Sequence, residues 1–207
     1  MTGLFYMHKT LVIATFNPHK VTEISAILPA LAAELRALSS FPGAVPPEED
    51  GATLEANAVK KALAAARATG LPALADDTGL EVDALDGAPG VRSARYAGEG
   101  CSCADNNALL LSALAGLPPE RRLARFACVT ALALPSGEVR TSRGTLEGRI
   151  TAAPRGANGF GYDPLFEVGG GPRTLAEFSG AEKNAVSHRA AALRGLLPAL
   201  LELFPAP

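Results

Sequence analysis

Residues Thr10–Lys20 read TLVIATFNPHK, and the fold turns on how that stretch is parsed. Thr10 to Thr15 is a short, apolar, β-branched run of the kind a buried strand uses. Asn17 is a good helix N-cap, and Pro18 suits a first helical turn. Val21, Ile24, Ile27, Leu28, Leu31 and Leu35 then recur at helical spacing. Residues 10–37 therefore read strand, tight polar loop, helix, with a second short strand near 36–41.

The same grammar continues outward. Pro42 to Asp50 (PGAVPPEED) is a loop rich in proline and acid. Thr53 caps a helix reaching Thr69, which Gly70 and Pro72 end. Ala73 to Asp76 reads as a strand that stops in an acidic loop, DDTG, and Gly79 to Ala97 is dense in turns. Asp105 caps a helix over about 106–115. Residues 123–134 (LARFACVTALAL) form a long strand, and two short polar strands over 138–144 and 145–150 complete a meander. Pro154 to Pro164 is too glycine-rich to be regular. A final helix covers about 182–203, with Pro198 as a kink. Alternating strands and helices early, with antiparallel strands in the middle, define an α/β chain with a mixed sheet.

Composition bounds the function. The chain has 207 residues, which at roughly 150 per domain is one large domain or a domain with a lobe. Residues 1–8 precede the first strand and read as an N-terminal extension, leaving 9–207 as a single domain. Net charge is −2, which lacks the basic excess of a protein that grips a nucleic-acid polymer. No stretch approaches the 18 or so apolar residues of a membrane span, and no leader pattern opens the chain. Three cysteines, Cys101, Cys103 and Cys128, form no disulfide framework and no metal-knuckle spacing. A cytoplasmic protein with reduced thiols is expected.

Four segments carry candidate chemistry. Thr15, Phe16, Asn17, Pro18, His19 and Lys20 lie where a helix N-terminus offers free N–H groups to phosphate, although a capped helix with a solvated lysine explains the same residues. Glu48, Glu49 and Asp50 in one loop, and Asp76 and Asp77 at a strand end, are oxygen donors suited to Mg²⁺ or to accepting a proton from water. A solvated acidic loop is the alternative for the first group. Phe160, Gly161, Tyr162 and Asp163 (within GFGYDP) combine close-approach glycines with aromatics that could face a base or fill a core. Lys183, Ser187, His188 and Arg189 place cations at the start of a helix, against its dipole, which an anion or carbonyl would compensate.

Taken in order, ATFNPHK, LADDTGLEVDALDGAPGVRSARYAG, GFGYDPLF and EKNAVSHR resemble the inosine triphosphate pyrophosphatases. The resemblance covers Leu11 to about Leu201. It implies an elongated, two-lobed α/β structure around a long twisted mixed sheet. It implies a Mg²⁺-dependent hydrolase that cuts ITP, dITP and XTP between the α and β phosphates, releasing a monophosphate and pyrophosphate, and that works as a homodimer. Matched residue by residue, Thr15–Lys20 become a triphosphate loop led by Asn17 and Lys20, and Lys61 faces the phosphates. Asp77 becomes proton acceptor and metal ligand, with Glu48 or Glu49 as the second metal acid. Thr78 contacts substrate, and Phe160–Asp163 form the base strip with Phe160 stacked on the purine. Lys183, His188 and Arg189 read the oxo edge. Three positions depart from the family pattern: Phe16 replaces a glycine, Thr78 a serine, and Ala56 an acid before Asn57. Two other activities fit the same residues: a pyrophosphatase of another modified nucleotide, and a nucleotide-binding sensor that does not hydrolyse.

Overall fold

A computed structural model describes residues 10–28, 31–169 and 171–205. Residues 1–8, read above as an extension, lie outside the described residues. Seven strands form a mixed sheet: β1 (Thr10–Ile13), β2 (Glu34–Ala37), β3 (Ala73–Val82), β4 (Pro89–Gly90), β5 (Leu123–Ala133), β6 (Val139–Ile150) and β7 (Phe166–Val168). Their order is β2-β1-β3-β5-β6-β7, with β4 paired to β3. β1 lies parallel to both β2 and β3, with Leu11 opposite Leu35 and Ile13 opposite Leu74. β4 and β7 pair antiparallel with β3 and β6. The helices are α1 (Pro18–Ile27), α2 (Leu54–Thr69), α3 (Cys103–Ala113), α4 (Gly180–Val186) and α5 (His188–Leu203). No helix among the described residues is long and apolar enough to cross a membrane.

The chain divides into two compact units. The first holds the residues up to Asp77, Val129–Ser142, and the chain from Ala192. Its core joins Leu11 and Ile13 of β1, Ile24 of α1, Leu74 of β3 and Leu132 of β5 to Leu193, Leu196, Leu200 and Phe204 near the C-terminus. Leu193, Leu196 and Leu200 recur every three or four residues along α5, and Phe204 continues the spacing just past its end, so one face of α5 is apolar. The second unit holds Thr78–Cys128 and Arg143–Ala191. Its core joins Leu80 and Val82, Leu110 and Leu114 of α3, Phe126, Ile150, Tyr162, Leu165, Phe166 and Leu175.

Five sequence expectations change. α1 stops at Ile27 and β2 begins at Glu34, because Leu35 pairs with Leu11 across strands instead of continuing a helix. β3 does not stop at Asp76 but runs through Asp77, Thr78 and Gly79 to Val82. α3 begins at Cys103, where Ser102 is the cap and the Asp105 carboxylate accepts from the Ser102 backbone N–H. The meander over 138–150 is one strand, and Gly148 sits where a Cβ would strike the Glu167 carbonyl and the Phe166 ring of β7. The last helix is two, because Ser187 ends α4 and its hydroxyl accepts from the Ala190 N–H at the start of α5.

Candidate functional site

The first cluster is built in the first unit, around the end of β1, α2 and β3. Asn17 caps α1: its side-chain oxygen accepts from the His19 N–H at 2.9 Å and the Lys20 N–H at 3.4 Å, while its own N–H donates to Thr15 Oγ1 at 3.1 Å. The loop is thus pinned internally, with Phe16, Pro18 and His19 exposed around it. Phe16 needs no special backbone, since Asp86 is the only non-glycine with positive φ among the described residues. Lys20 turns toward β3, where Nζ meets Asp76 Oδ2 at 3.1 Å.

Asp77 is nearly buried, and α2 grips it from two successive turns. Lys61 Nζ donates to Oδ1 at 2.7 Å and Asn57 Nδ2 to Oδ2 at 3.3 Å. Residues four apart on a helix share a face, so both reach the same carboxylate. Lys61 also donates to Glu49 Oε1 at 2.8 Å. Glu48 takes a different cation: Lys60 binds it at 3.2 Å and Asp50 at 2.6 Å, in solvent. Of the two candidate acids in this loop, Glu49 is therefore the one beside Asp77. Burial pushes the Asp77 carboxyl above the ordinary aspartate value despite Lys61 and Lys20. Burial would depress the Lys61 ammonium, but the charges of Asp77, Asp76 and Glu49 overcome it and hold its pKa above the usual lysine value.

These residues suit Mg²⁺. Glu49 and Asp77 converge on one ammonium, so a divalent cation could replace or join it with oxygen ligands on both sides. No group of three His, Cys, Asp or Glu forms a closed cage among the described residues. Mg²⁺ commonly takes one or two carboxylates and completes its shell with water and phosphate oxygens, so two acids suffice.

The second cluster is built in the second unit. Asp163 is buried; its Oδ2 accepts from the Phe160 N–H at 2.9 Å and from Lys183 Nζ at 2.5 Å. Gly159, at φ +73°, leaves the room for that carboxylate, since a Cβ there would collide with Oδ2. Lys183 Nζ lies 4.8 Å from the Phe160 ring centre and the Arg189 guanidinium carbon 5.8 Å. Arg189 is 1% exposed and donates to Thr78 Oγ1 at 3.3 Å. His188 is buried and stacks on Phe126 at 4.6 Å. Phe160 is the aromatic beside the cations. Tyr162 differs from it: its ring lies in the core and its hydroxyl donates to the Ser93 carbonyl at 2.9 Å. Gly161 holds φ +62°, and its carbonyl accepts from Asn107 at 3.1 Å.

Sequence reading passed over Asn57, and it placed Ser187 in the first turn of one long helix, not at the break between two. Asn57 is a wholly buried amide on a helix face otherwise lined with alanine, four residues before Lys61, and that pattern was the available signal. Ser187 separates Val186 from His188 as a helix cap would, a pattern hidden by the helical residues on both sides.

The sheet thus carries a buried carboxylate–ammonium cluster and a buried cation–aromatic cluster. The chain belongs to the Ham1 family, whose model matches residues 11–199. A dITP/XTP pyrophosphatase of Geobacter sulfurreducens is 56% identical over 183 residues, covering 88% of this chain and 92% of its own. One from Desulforamulus reducens is 50% identical over 194 residues, covering 94% and 96%. Among solved structures, a HAM1 protein from Coxiella burnetii matches with TM-score 0.83 at 43% identity, covering 93% of this chain and 98% of its own. The Staphylococcus aureus Ham1 protein matches with TM-score 0.82 at 39% identity, covering 94% and 99%.

Proposed function

We propose that this protein hydrolyses dITP, ITP and XTP to the nucleoside monophosphate and pyrophosphate, removing non-standard purines from the nucleotide pool. The observation that carries the reading is Asp77: a buried carboxylate held on one oxygen by Lys61 and on the other by Asn57, with Glu49 on the same ammonium. Its relatives' shared name, dITP/XTP pyrophosphatase, points to the same chemistry.

In this reading Asp77 takes the proton from the attacking water, a task its raised pKa favours because a stronger base accepts the proton more readily. Lys61 and Lys20 offset phosphate charge. The Thr15–Lys20 loop presents the start of α1 to the triphosphate; the His19 and Lys20 N–H groups already serve Asn17, so the Lys20 side chain is the loop's main phosphate donor. Asp77 and Glu49 would hold Mg²⁺, which supplies charge neutralisation at the phosphates. Phe160 offers a ring face to the purine, and Thr78 a hydroxyl to the substrate. Lys183, His188 and Arg189 supply donors for a 6-oxo group and reject the 6-amino group of ATP, since facing donors leave each other unpaired at about 1–3 kcal/mol each. Gly161 and Asp163 shape this strip, and Tyr162 anchors it from the core. The reading carries with it a homodimer in the cytoplasm, a setting that the three free cysteines suit.

Pyrophosphate release from ITP, XTP, dITP, GTP, dTTP and ATP, each with Mg²⁺ and with EDTA, tests this. Fast Mg²⁺-dependent release from the first three is expected. Tight triphosphate binding with no turnover would replace the enzyme by a sensor.

A further inference from the structure

Two side chains of α2 join the acidic loop to β3. Lys61 forms one rung, with Glu49 on one side at 2.8 Å and Asp77 on the other at 2.7 Å. Asn57, one turn earlier, forms the second rung. Its Oδ1 accepts from the Gly51 N–H at 2.7 Å, and its Nδ2 donates to Asp77 Oδ2 at 3.3 Å. Asn57 is 0% exposed.

The two rungs differ in what they can fix. An ammonium is a rotatable point charge on a four-carbon stem, so Lys61 neutralises without setting the plane of a carboxylate. The Asn57 amide is planar, and its orientation is forced. A backbone N–H can only donate, so the amide oxygen must face Gly51 and the amide nitrogen must face Asp77. Gly51 is part of the device. A Cβ at that position would lie 2.6 Å from Asn57 Oδ1 and 3.0 Å from the Ala56 Cβ. The loop reaches the amide only because residue 51 has no side chain.

We propose that Asn57 is a positioning residue for the hydrolysis: it locks the plane of the Asp77 carboxylate and the height of the Glu49–Gly51 loop to a single helix turn, so that the proton acceptor and the second acid are set together. This rests on the reading of Asp77 as proton acceptor. Asn57 is closed off from solvent, so its effect passes through Asp77. Misplacing a reacting group by about an ångström costs up to about a hundredfold in rate, so the expected signature is a loss in turnover with little change in substrate binding.

The test uses Asn57→Ala, Gly51→Ala and the double variant in the full chain, each with a melting temperature, kcat and KM for ITP, and amide hydrogen exchange at Gly51 without substrate. Expected is a slow-exchanging Gly51 amide in the wild type that exchanges faster in Asn57→Ala. Expected also is a kcat loss of about tenfold in Asn57→Ala and a smaller loss in Gly51→Ala, with KM within about twofold in both. The double variant should lie close to Asn57→Ala alone, because the 2.6 Å clash with the amide oxygen is gone and only the milder contacts with the Ala56 methyl and the residue-57 nitrogen, at 3.0 and 3.1 Å, remain. Should Asn57→Ala fail to fold, Gly51→Ala carries the kcat and KM test by itself. Wild-type kcat in a folded single variant, multiplying effects in the double, or a fall in melting temperature alone would each overturn the assignment. An unprotected Gly51 amide in the wild type would overturn the ladder whatever the enzyme's substrate. A wild type that releases no pyrophosphate, with Gly51 protected, would defeat the hydrolytic reading and Asn57's role in it while leaving the contacts intact.

Discussion

The two clusters bury charge to opposite ends. In the first, three carboxylates, Asp76, Asp77 and Glu49, surround two ammonium groups, Lys20 and Lys61. Negative charge is in excess, which suits a place where a divalent cation arrives with its phosphates. In the second, Lys183 pairs with the carboxylate of Asp163, and Lys183 and Arg189 both lie near the face of Phe160. Positive charge and N–H donors are in excess, which suits the oxo edge of a base. A buried ion pair contributes little net stability against an apolar alternative, yet losing one partner is costly. Both clusters therefore hold charge that function explains better than folding does.

The comparison is broken most severely at Lys61. Lys61→Met leaves Asp77 and Glu49 without their shared cation, and should cost about 3–5 kcal/mol in denaturant unfolding. The pH dependence has a definite sign. The folded-state pKa of Lys61 lies above its unfolded value, so its contribution is complete below about 10.4 and is lost as pH rises through the folded value. The wild-type stability curve should fall in that alkaline window more than that of Lys61→Met. If the two curves run parallel, the lysine is not coupled to the carboxylates as described.

Asp77→Asn keeps size and one hydrogen-bonding oxygen but removes the proposed base. Turnover should fall by at least about a hundredfold; near-normal kcat for ITP would remove Asp77 from the chemistry. In the second cluster, Arg189→Ala should narrow the ITP-over-ATP preference by about tenfold, the effect of one lost donor, with a smaller change in ITP turnover than Asp77→Asn produces. An unchanged preference would detach the cation cluster from base selection. The smallest effect is a control. Ser102→Ala removes the α3 cap and should lower stability by about 1 kcal/mol, with kcat unchanged once the protein is folded. A large loss of turnover there would mean that α3 bears on the chemistry.

What the sequence made legible was local. Thr53 caps α2 and Gly70 ends it in the left-handed conformation, as their residue types imply. β1 and its following loop were readable from the β-branched run and the Asn-Pro pair. The DDTG segment was not. Two aspartates, a threonine and a glycine look like a loop, yet they lie in the middle of β3. What makes that strand possible is Lys20 from α1 and Lys61 from α2, 56 and 16 positions away. No local pattern encodes such pairing. The choice between Glu48 and Glu49 was hidden for the same reason, since it depends on which of two adjacent lysines each acid meets. Tyr162 and Phe160 look alike two residues apart in a glycine-rich strip. Only the packing of Tyr162 against the second core separates them.

Gly51 carries a consequence for how this protein can drift. Most glycines are kept because the backbone turns left-handed, and asparagine or aspartate can sometimes stand in. Gly51 is not among the positive-φ residues; it is held by the volume around it, where a Cβ would lie 2.6 Å from the Asn57 amide oxygen, 3.0 Å from the Ala56 methyl and 3.1 Å from the Asn57 backbone nitrogen. Its replacement therefore depends first on the side chain at position 57, and not on a left-handed turn. Lineages that acquire a side chain at 51 should do so only together with a smaller residue at 57, so the two columns should change as a pair while Gly70, kept for its φ, varies independently of both.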